Sequence, residues 1–327
     1  MVGHGIGIKA AKTHRICRMR LWHHTKTGMG EGEIMNNFTH QRAQEQSELT
    51  VQLSELQEEM AFTKGIAGPL YSAFVIQEPQ QANCELHGHF EQNYLTLEYR
   101  GRLSERRSRC PHCLKNAIDA AEIRKRQIRI DELTEQANIP PRFTGSEFNN
   151  FDILNICASQ NLSVLRDYAA SWPTMLAAGT SLIMCGKPGT GKNHLAVALA
   201  KDIIRNHESA VLMTSVMRII RAVRRSWDKG ADMREEDVIG IYTSRDLLII
   251  DEVGIQYGSD SEKIILFDIL NARYEDMLPT VLISNLAPVE IAEVIGERLM
   301  DRMVEGDGAT LIFDWPSYRS RKGAVSA

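Results

Sequence analysis

A short apolar run, Ser181-Leu182-Ile183-Met184-Cys185, passes directly into Gly186-Lys187-Pro188-Gly189-Thr190-Gly191-Lys192-Asn193-His194, after which Leu195 to Leu199 open an apolar helix. Strand, glycine-rich loop and helix in that order constrain the fold more than any other feature of the chain. The glycines let backbone N–H groups turn toward an anion with no Cβ in the way, and the helix N-terminus adds its positive end. Lys192 is placed to reach the β- and γ-phosphates of a nucleotide. The loop departs from the usual pattern at one position. A Ser or Thr that would hold Mg²⁺ is expected after the lysine, and Asn193 stands there instead, so the metal ligand would be an amide oxygen.

A second run, Leu247-Leu248-Ile249-Ile250, ends in Asp251-Glu252. Four consecutive apolar residues suit a central parallel strand buried on both faces. Asp251 would hold Mg²⁺, and Glu252 would orient or deprotonate an attacking water. Thr280 to Ile283 ends in Ser284-Asn285, an amide that could position that water. Further β-type runs lie at Ala210 to Thr214 and Thr310 to Phe313, with helical patterns between most of them, so a parallel sheet covered by helices is expected.

Upstream the pattern changes. Leu49, Leu53, Leu56 and Met60 recur at helical spacing over residues 41–60, either as the core face of a small domain or as a docking face for a partner helix. Cys84-x2-His87 and Cys110-x2-Cys113 form two ligand pairs of the kind that close on one tetrahedral Zn²⁺, with Arg102, Arg106, Arg107 and Arg109 in the intervening loop and His89 and His112 as substitute ligands. Four protein ligands would make the site structural. Cys157 and Cys185 are expected in the core. Residues 114–137 are helical and stop at Ile139-Pro140-Pro141, because proline cannot continue a helix. The expected organisation is therefore an extension over 1–34, disordered or preceding a natural start at Met35, a zinc-bearing domain over 35–115, a helical linker over 116–140 and a nucleotide-binding domain over 141–327.

Between Val216 and Trp227 lie Arg218, Arg221, Arg224 and Arg225, at spacings that put three or four guanidinium groups on one helix face. The chain of 327 residues has a net charge of −4, so contact with nucleic acid must come from a local patch such as this one. No apolar run is long enough to span a bilayer and no export signal is visible, so a cytoplasmic protein without membrane contact is expected.

Read together, GKPGTGKNH from Gly186, LLIIDEVGIQ from Leu247, GERLMDRM from Gly296 and FDWPSYRSR from Phe313 resemble the DnaC-type helicase loaders, AAA+ ATPases related to the initiator DnaA. The resemblance covers roughly Ile139 to Lys322, and Asn193 is shared with DnaC. It implies an α/β fold with an AAA+ P-loop αβα core and parallel sheet. It implies ATP bound between self-associating subunits and a DnaB-type replicative helicase hexamer delivered onto single-stranded DNA. Asn285 then matches sensor 1, Arg302 the arginine finger (with Arg298 as a competitor) and Arg319 the sensor 2 arginine. The basic helix matches an insertion that contacts single-stranded DNA. The zinc module is similar to that of the DnaI-type loaders, which grip the helicase, and the mixed character suggests a phage or prophage origin. Two other readings stand beside this one: an IstB-type transposition helper acting on duplex DNA with a transposase, and an adaptor that binds ATP but barely hydrolyses it.

Overall fold

The computed structural model describes residues 31–66, 68, 73–254 and 260–318. Most of the expected N-terminal extension and Arg319 lie outside them. The chain divides into two compact units, Met1–Ile128 and Arg129–Ala327.

The first unit opens with helix α1 (Glu31–Phe62), which starts ten residues before the apolar periodicity does. Leu53, Leu56 and Phe62 are buried within this unit, while Leu49 and Met60 are half-buried. The apolar face thus serves the unit's own core. Strands β1 (Val75–Ile76), β4 (Tyr94–Tyr99) and β5 (Arg102–Arg107) make an antiparallel sheet in the order β1-β4-β5. A separate hairpin is formed by β2 (Gln80–Cys84) and β3 (Gly88–Gln92). The arginines expected in a loop therefore sit largely on a strand: β5 is exposed along its whole length and carries Arg102, Arg106 and Arg107. Charged side chains project from an exposed strand as readily as from a loop, and nothing in RLSERR marks the difference. Helix α2 (Pro111–Gln136) follows. Leu95 of β4 and Leu114 of α2 are fully buried. Arg109 forms a two-pronged ion pair with Glu59 at 2.7 and 2.5 Å, and Arg124 pairs with Glu45 at 2.7 and 3.0 Å, tying both ends of this region to α1.

The second unit takes in the last turns of α2, whose Leu133 joins its core together with Ala137 just beyond the helix. After two single 3₁₀ turns come α3 (Ile156–Ala170) and α4 (Trp172–Ala178), then an alternation of strands and helices. These are β6 (Leu182–Gly186), α5 (Lys192–His207), β7 (Val211–Ser215), α6 (Val216–Ser226), α7 (Glu235–Thr243), β8 (Leu247–Val253), α8 (Asp260–Glu275), β9 (Thr280–Ser284), α9 (Pro288–Ile295), α10 (Glu297–Met303) and β10 (Ala309–Phe313). The sheet is parallel throughout, in the order β10-β6-β9-β8-β7. All five apolar runs are strands. Leu182 to Cys185, Leu247 to Ile250 and Val281 to Ile283 are buried, as helices on both faces require. One apolar cluster packs α3 and α5 on one face, and a second packs α6 to α10 on the other. Cys185 is in the core as expected, but Cys157 is exposed: it lies in the first turn of α3, on the side away from Ala158, Leu162 and Leu165.

The edge strand β7 is capped by the segment after α2. The Met213 N–H donates to the Ala137 carbonyl, and Asn138 donates to the Met213 carbonyl. Occupying that edge removes a row of free pairing groups. Below β8 and β9 lies Arg273, fully buried. It donates to Thr280 Oγ1 and to the carbonyls of Tyr242, Arg245 and Pro279 at 2.6–2.9 Å. Burial lowers its pKa to about 10.

Candidate nucleotide and metal sites

Parallel strands leave their C-terminal ends at one edge of a sheet, and a crevice forms where neighbouring connections depart in opposite directions. In the second unit a cavity of about 810 Å³ lies at that edge, between the ends of β6, β8 and β9. Pro188 to His194, Asp251, Glu252 and Asn285 all line it. Three separate sequence motifs thus converge on one space.

Lys192 is largely buried, and its ammonium donates to the Gly186 and Lys187 carbonyls, both at 2.7 Å. Burial pushes its pKa down to about 8, against the opposing pull of the Asp251 charge. Two carbonyls hold this ammonium without neutralising it, so a phosphate is a fitting partner for its charge. Asn193 donates from Nδ2 to Asp251 Oδ2 at 2.6 Å, leaving its amide oxygen as the atom able to ligate a cation. The other oxygen of Asp251 accepts from the Glu252 N–H at 2.8 Å. Burial raises the Asp251 pKa, and these two hydrogen bonds pull against it. The two residues expected at Mg²⁺ are therefore adjacent, and an amide oxygen beside a carboxylate is a fitting hard-oxygen donor set.

Glu252 has φ +63°, a left-handed conformation that is costly for a residue with a Cβ. The register of β8 against β9 shifts between Ile250 and Val253. The extra residue bends the strand end and turns the exposed Glu252 carboxylate toward the cavity beside Asp251.

Half of the cavity wall carries no recognised motif. Arg142, Phe143, Asn150, Phe151 and Asp152 line it from the segment after Pro140-Pro141. That segment is tied to α5 by Glu147, which pairs with Lys201 and, at 2.9 Å through both oxygens, with Arg205. His194 bonds the Glu147 carbonyl at 3.0 Å and sits 5.6 Å from the Phe151 ring. The clustered aromatics after a double proline were the available signal for this wall.

Three expected residues stand elsewhere. Lys187 points outward and pairs with Asp314 at 2.5 Å. Arg302 lies on α10, 4.4 Å from the Tyr274 ring and bonded to Asn271, outside this cavity. Arg298 is exposed on the same helix. On α6, Arg218, Arg221, Arg224 and Arg225 are all exposed while Ile219, Ile220 and Val223 are buried. Arg224 differs from the other three, because it pairs with the buried Glu262 at 2.8 Å.

In the first unit Cys84, His87, Cys110 and Cys113 bring their ligand atoms within 4.8 Å of one another. His87 Nδ1 lies 3.5, 3.6 and 3.3 Å from the sulfurs of Cys84, Cys110 and Cys113, and the sulfurs of Cys84 and Cys113 are 3.6 Å apart. Zinc bond lengths in a tetrahedron put S···S near ~3.8 Å and S···N near ~3.6 Å. The donors fit the ion. The β2–β3 turn supplies one pair and the start of α2 the other. His112 stacks on His87 at 5.4 Å and His89 lies on β3; neither belongs to the cluster.

The fold and this cavity define a P-loop ATPase of the AAA+ class. A sequence profile described as "IstB-like ATP binding protein" matches residues 108–321, and the chain belongs to that family. Among curated relatives it is 33% identical over 202 residues to the replicative helicase loader DnaC of Escherichia coli K12, covering 62% of this chain and 80% of that protein. It is 29% identical over 217 residues to the E. coli K12 protein YdaV, covering 66% and 82%. The crystal structure of the DnaC helicase loader aligns with TM-score 0.47 and 20% identity over 53% of this chain and 99% of the other. No helix among the described residues is long and apolar enough to cross a membrane.

Proposed function

We propose that this protein is an ATP-dependent helicase loader, acting in the cytoplasm. The single observation that carries the reading is the 33% identity over 202 residues to a replicative helicase loader. In this reading Gly186 to His194 hold the phosphates of ATP, and Lys192 neutralises their charge. Asn193 and Asp251 hold Mg²⁺, which supplies further neutralisation. Glu252 takes a proton from the attacking water and Asn285 orients it. Arg302, half-buried on α10 outside this cavity, serves as the finger that completes a neighbouring copy's site. Arg319 serves as sensor 2. The zinc-bearing residues 35–115 grip the hexameric DnaB-type helicase, residues 116–140 link them to the ATPase domain of 141–327, and α6 holds single-stranded DNA by its phosphates. Cys84, His87, Cys110 and Cys113 bind Zn²⁺ as a structural clasp.

The test is native mass spectrometry of this protein mixed with the host replicative helicase, with and without ATP. A helicase hexamer carrying several copies of this chain is expected. Absence of any complex, with zinc bound, would overturn the loader reading in favour of a transposition helper, which a transposase pull-down would then examine.

A further inference from the structure

A phosphate loop presents N–H groups to its ligand, so its carbonyls point outward and need partners of their own. In this protein the Gly186 and Lys187 carbonyls accept from the Lys192 ammonium, and the Gly189 and Thr190 carbonyls accept from the segment after β10. Residues 313–318 run as a strap along the outer side of the loop. The Lys187 N–H donates to the Phe313 carbonyl at 2.9 Å, extending the β6–β10 ladder into the loop. The Trp315 indole N–H donates to the Thr190 carbonyl at 3.1 Å, and the Tyr318 N–H donates to the Gly189 carbonyl at 2.8 Å. Trp315 is 3% exposed and stacks at 5.0 Å on Phe313. The fit is close on both sides. A Cβ at Gly186, φ +121°, would lie 2.6 Å from the Phe313 carbonyl oxygen, and one at Gly189, φ +77°, would collide with Ser317. Tyr318 itself lines the cavity, and its hydroxyl bonds Asp152 on the opposite wall.

We infer that Trp315 is a positioning residue for ATP: by holding the Thr190 carbonyl outward it keeps the loop's N–H groups aimed at the phosphates, so that nucleotide affinity depends on a residue that touches no nucleotide. The inference rests on reading Gly186–Lys192 as the phosphate loop. A carbonyl left without a buried partner would rotate toward solvent or toward the cavity, and the peptide N–H would rotate with it. The strap also gives nucleotide a route to the tail. Phosphates that settle the loop settle Trp315 and Tyr318, and through Tyr318 the opposite wall.

The experiment uses the full chain with Trp315→Phe, which keeps the ring and removes the donor. Calorimetric titration with Mg·ATP, Mg·ADP and adenosine is compared with the parent protein. The expected result is at least a fivefold loss of affinity for ATP and ADP, an unchanged affinity for adenosine and a melting temperature close to the parent's. Unchanged ATP affinity would overturn the proposal, and so would an equal loss for all three ligands, which marks general damage. A parent protein that binds no ATP would instead overturn the phosphate-loop reading. If Trp315→Phe does not fold, the triple variant Trp22→Phe, Trp172→Phe, Trp227→Phe decides, because it removes the other three of the chain's four tryptophans and leaves Trp315 as the one reporter beside the loop. A change in tryptophan emission on adding Mg·ATP supports the proposal, and an unchanged spectrum overturns it.

Discussion

The two units reach order by opposite means. The nucleotide-binding unit buries whole strands: Leu247 to Ile250 and Val281 to Ile283 are close to zero exposure, with helices on both faces. At about 2 kcal/mol per fully buried aliphatic side chain, such a core holds itself together. The first unit has a thinner apolar core around Phe62, Leu95 and Leu114, and its β5 is exposed along its whole length. It gathers four donor atoms in place of apolar area. A small unit that cannot bury enough surface needs a staple, and here the staple joins a hairpin turn to a helix start. The comparison teaches where each unit is vulnerable: one to loss of an ion, the other to loss of a buried polar knot or a cavity-lining group.

The largest effect expected is on the staple. Removing zinc with a strong chelator, or Cys110→Ser, should cost the first unit on the order of 10 kcal/mol and unfold the β2–β3 hairpin, while the parallel sheet keeps its melting transition. Limited proteolysis reads both at once. A hairpin that stays resistant after chelation would break the contrast.

Next comes chemistry in the unit that needs no staple. Glu252→Gln should lower ATP turnover by about 10²–10⁴-fold, with ATP binding retained. Steady-state hydrolysis and a binding titration check it, and unchanged turnover would remove Glu252 from its role. Arg273→Met should then destabilise the second unit by about 3 kcal/mol, since three buried carbonyls lose a charged donor. Denaturant unfolding measures this, and the first unit should be indifferent.

Two smaller effects sharpen the picture within the second unit. On α6, Arg221→Ala should weaken single-stranded DNA binding and reduce the salt slope by about 0.7, as loss of one phosphate contact does. Arg224→Ala should act more on stability, because its guanidinium already pairs with Glu262. Equal effects of the two would erase the distinction. The last concerns pH. Hydrogen bonds from Arg205 and Lys201 lower the Glu147 pKa against the opposing cost of its burial. A carboxyl lowered on folding stabilises the protein above its ordinary value of 4.5, and that contribution is lost as pH falls through the lowered value. Glu147→Gln should flatten the acid limb of the stability curve by about 1 kcal/mol or less, since the side chain is one-third exposed.

How legible each part was follows from where its information sits. The five strands could be read because strands covered on both faces are continuous apolar runs. The Cys84, His87, Cys110 and Cys113 cluster could be read because two-residue gaps are local. The β1-β4-β5 sheet could not, since an exposed strand such as Arg102-Leu103-Ser104-Glu105-Arg106-Arg107 has the composition of a loop. The start of α1 was missed for a similar reason: residues 31–40 lack the apolar period. At the cavity, Lys192, Asp251, Glu252 and Asn285 each end or follow a strand and announced themselves. Phe151, Asp152 and Tyr318 did not, because the aromatics after Pro140-Pro141 mark a packed segment without naming the distant phosphate loop that it packs on.

The sequence by itself determined the strand–loop–helix at Gly186, the acidic pair at Asp251 and the two zinc-ligand pairs, because backbone freedom, charge and ligand spacing are properties of a few adjacent residues. Only the tertiary structure decided which distant segments close the cavity, that Asn193 bonds Asp251, that Glu252 is turned by a bulge, and that Trp315 holds the outer side of the phosphate loop. The Trp315–Thr190 contact alone joins residues 125 positions apart, and only packing of the sheet and its helices brings such partners within hydrogen-bond distance.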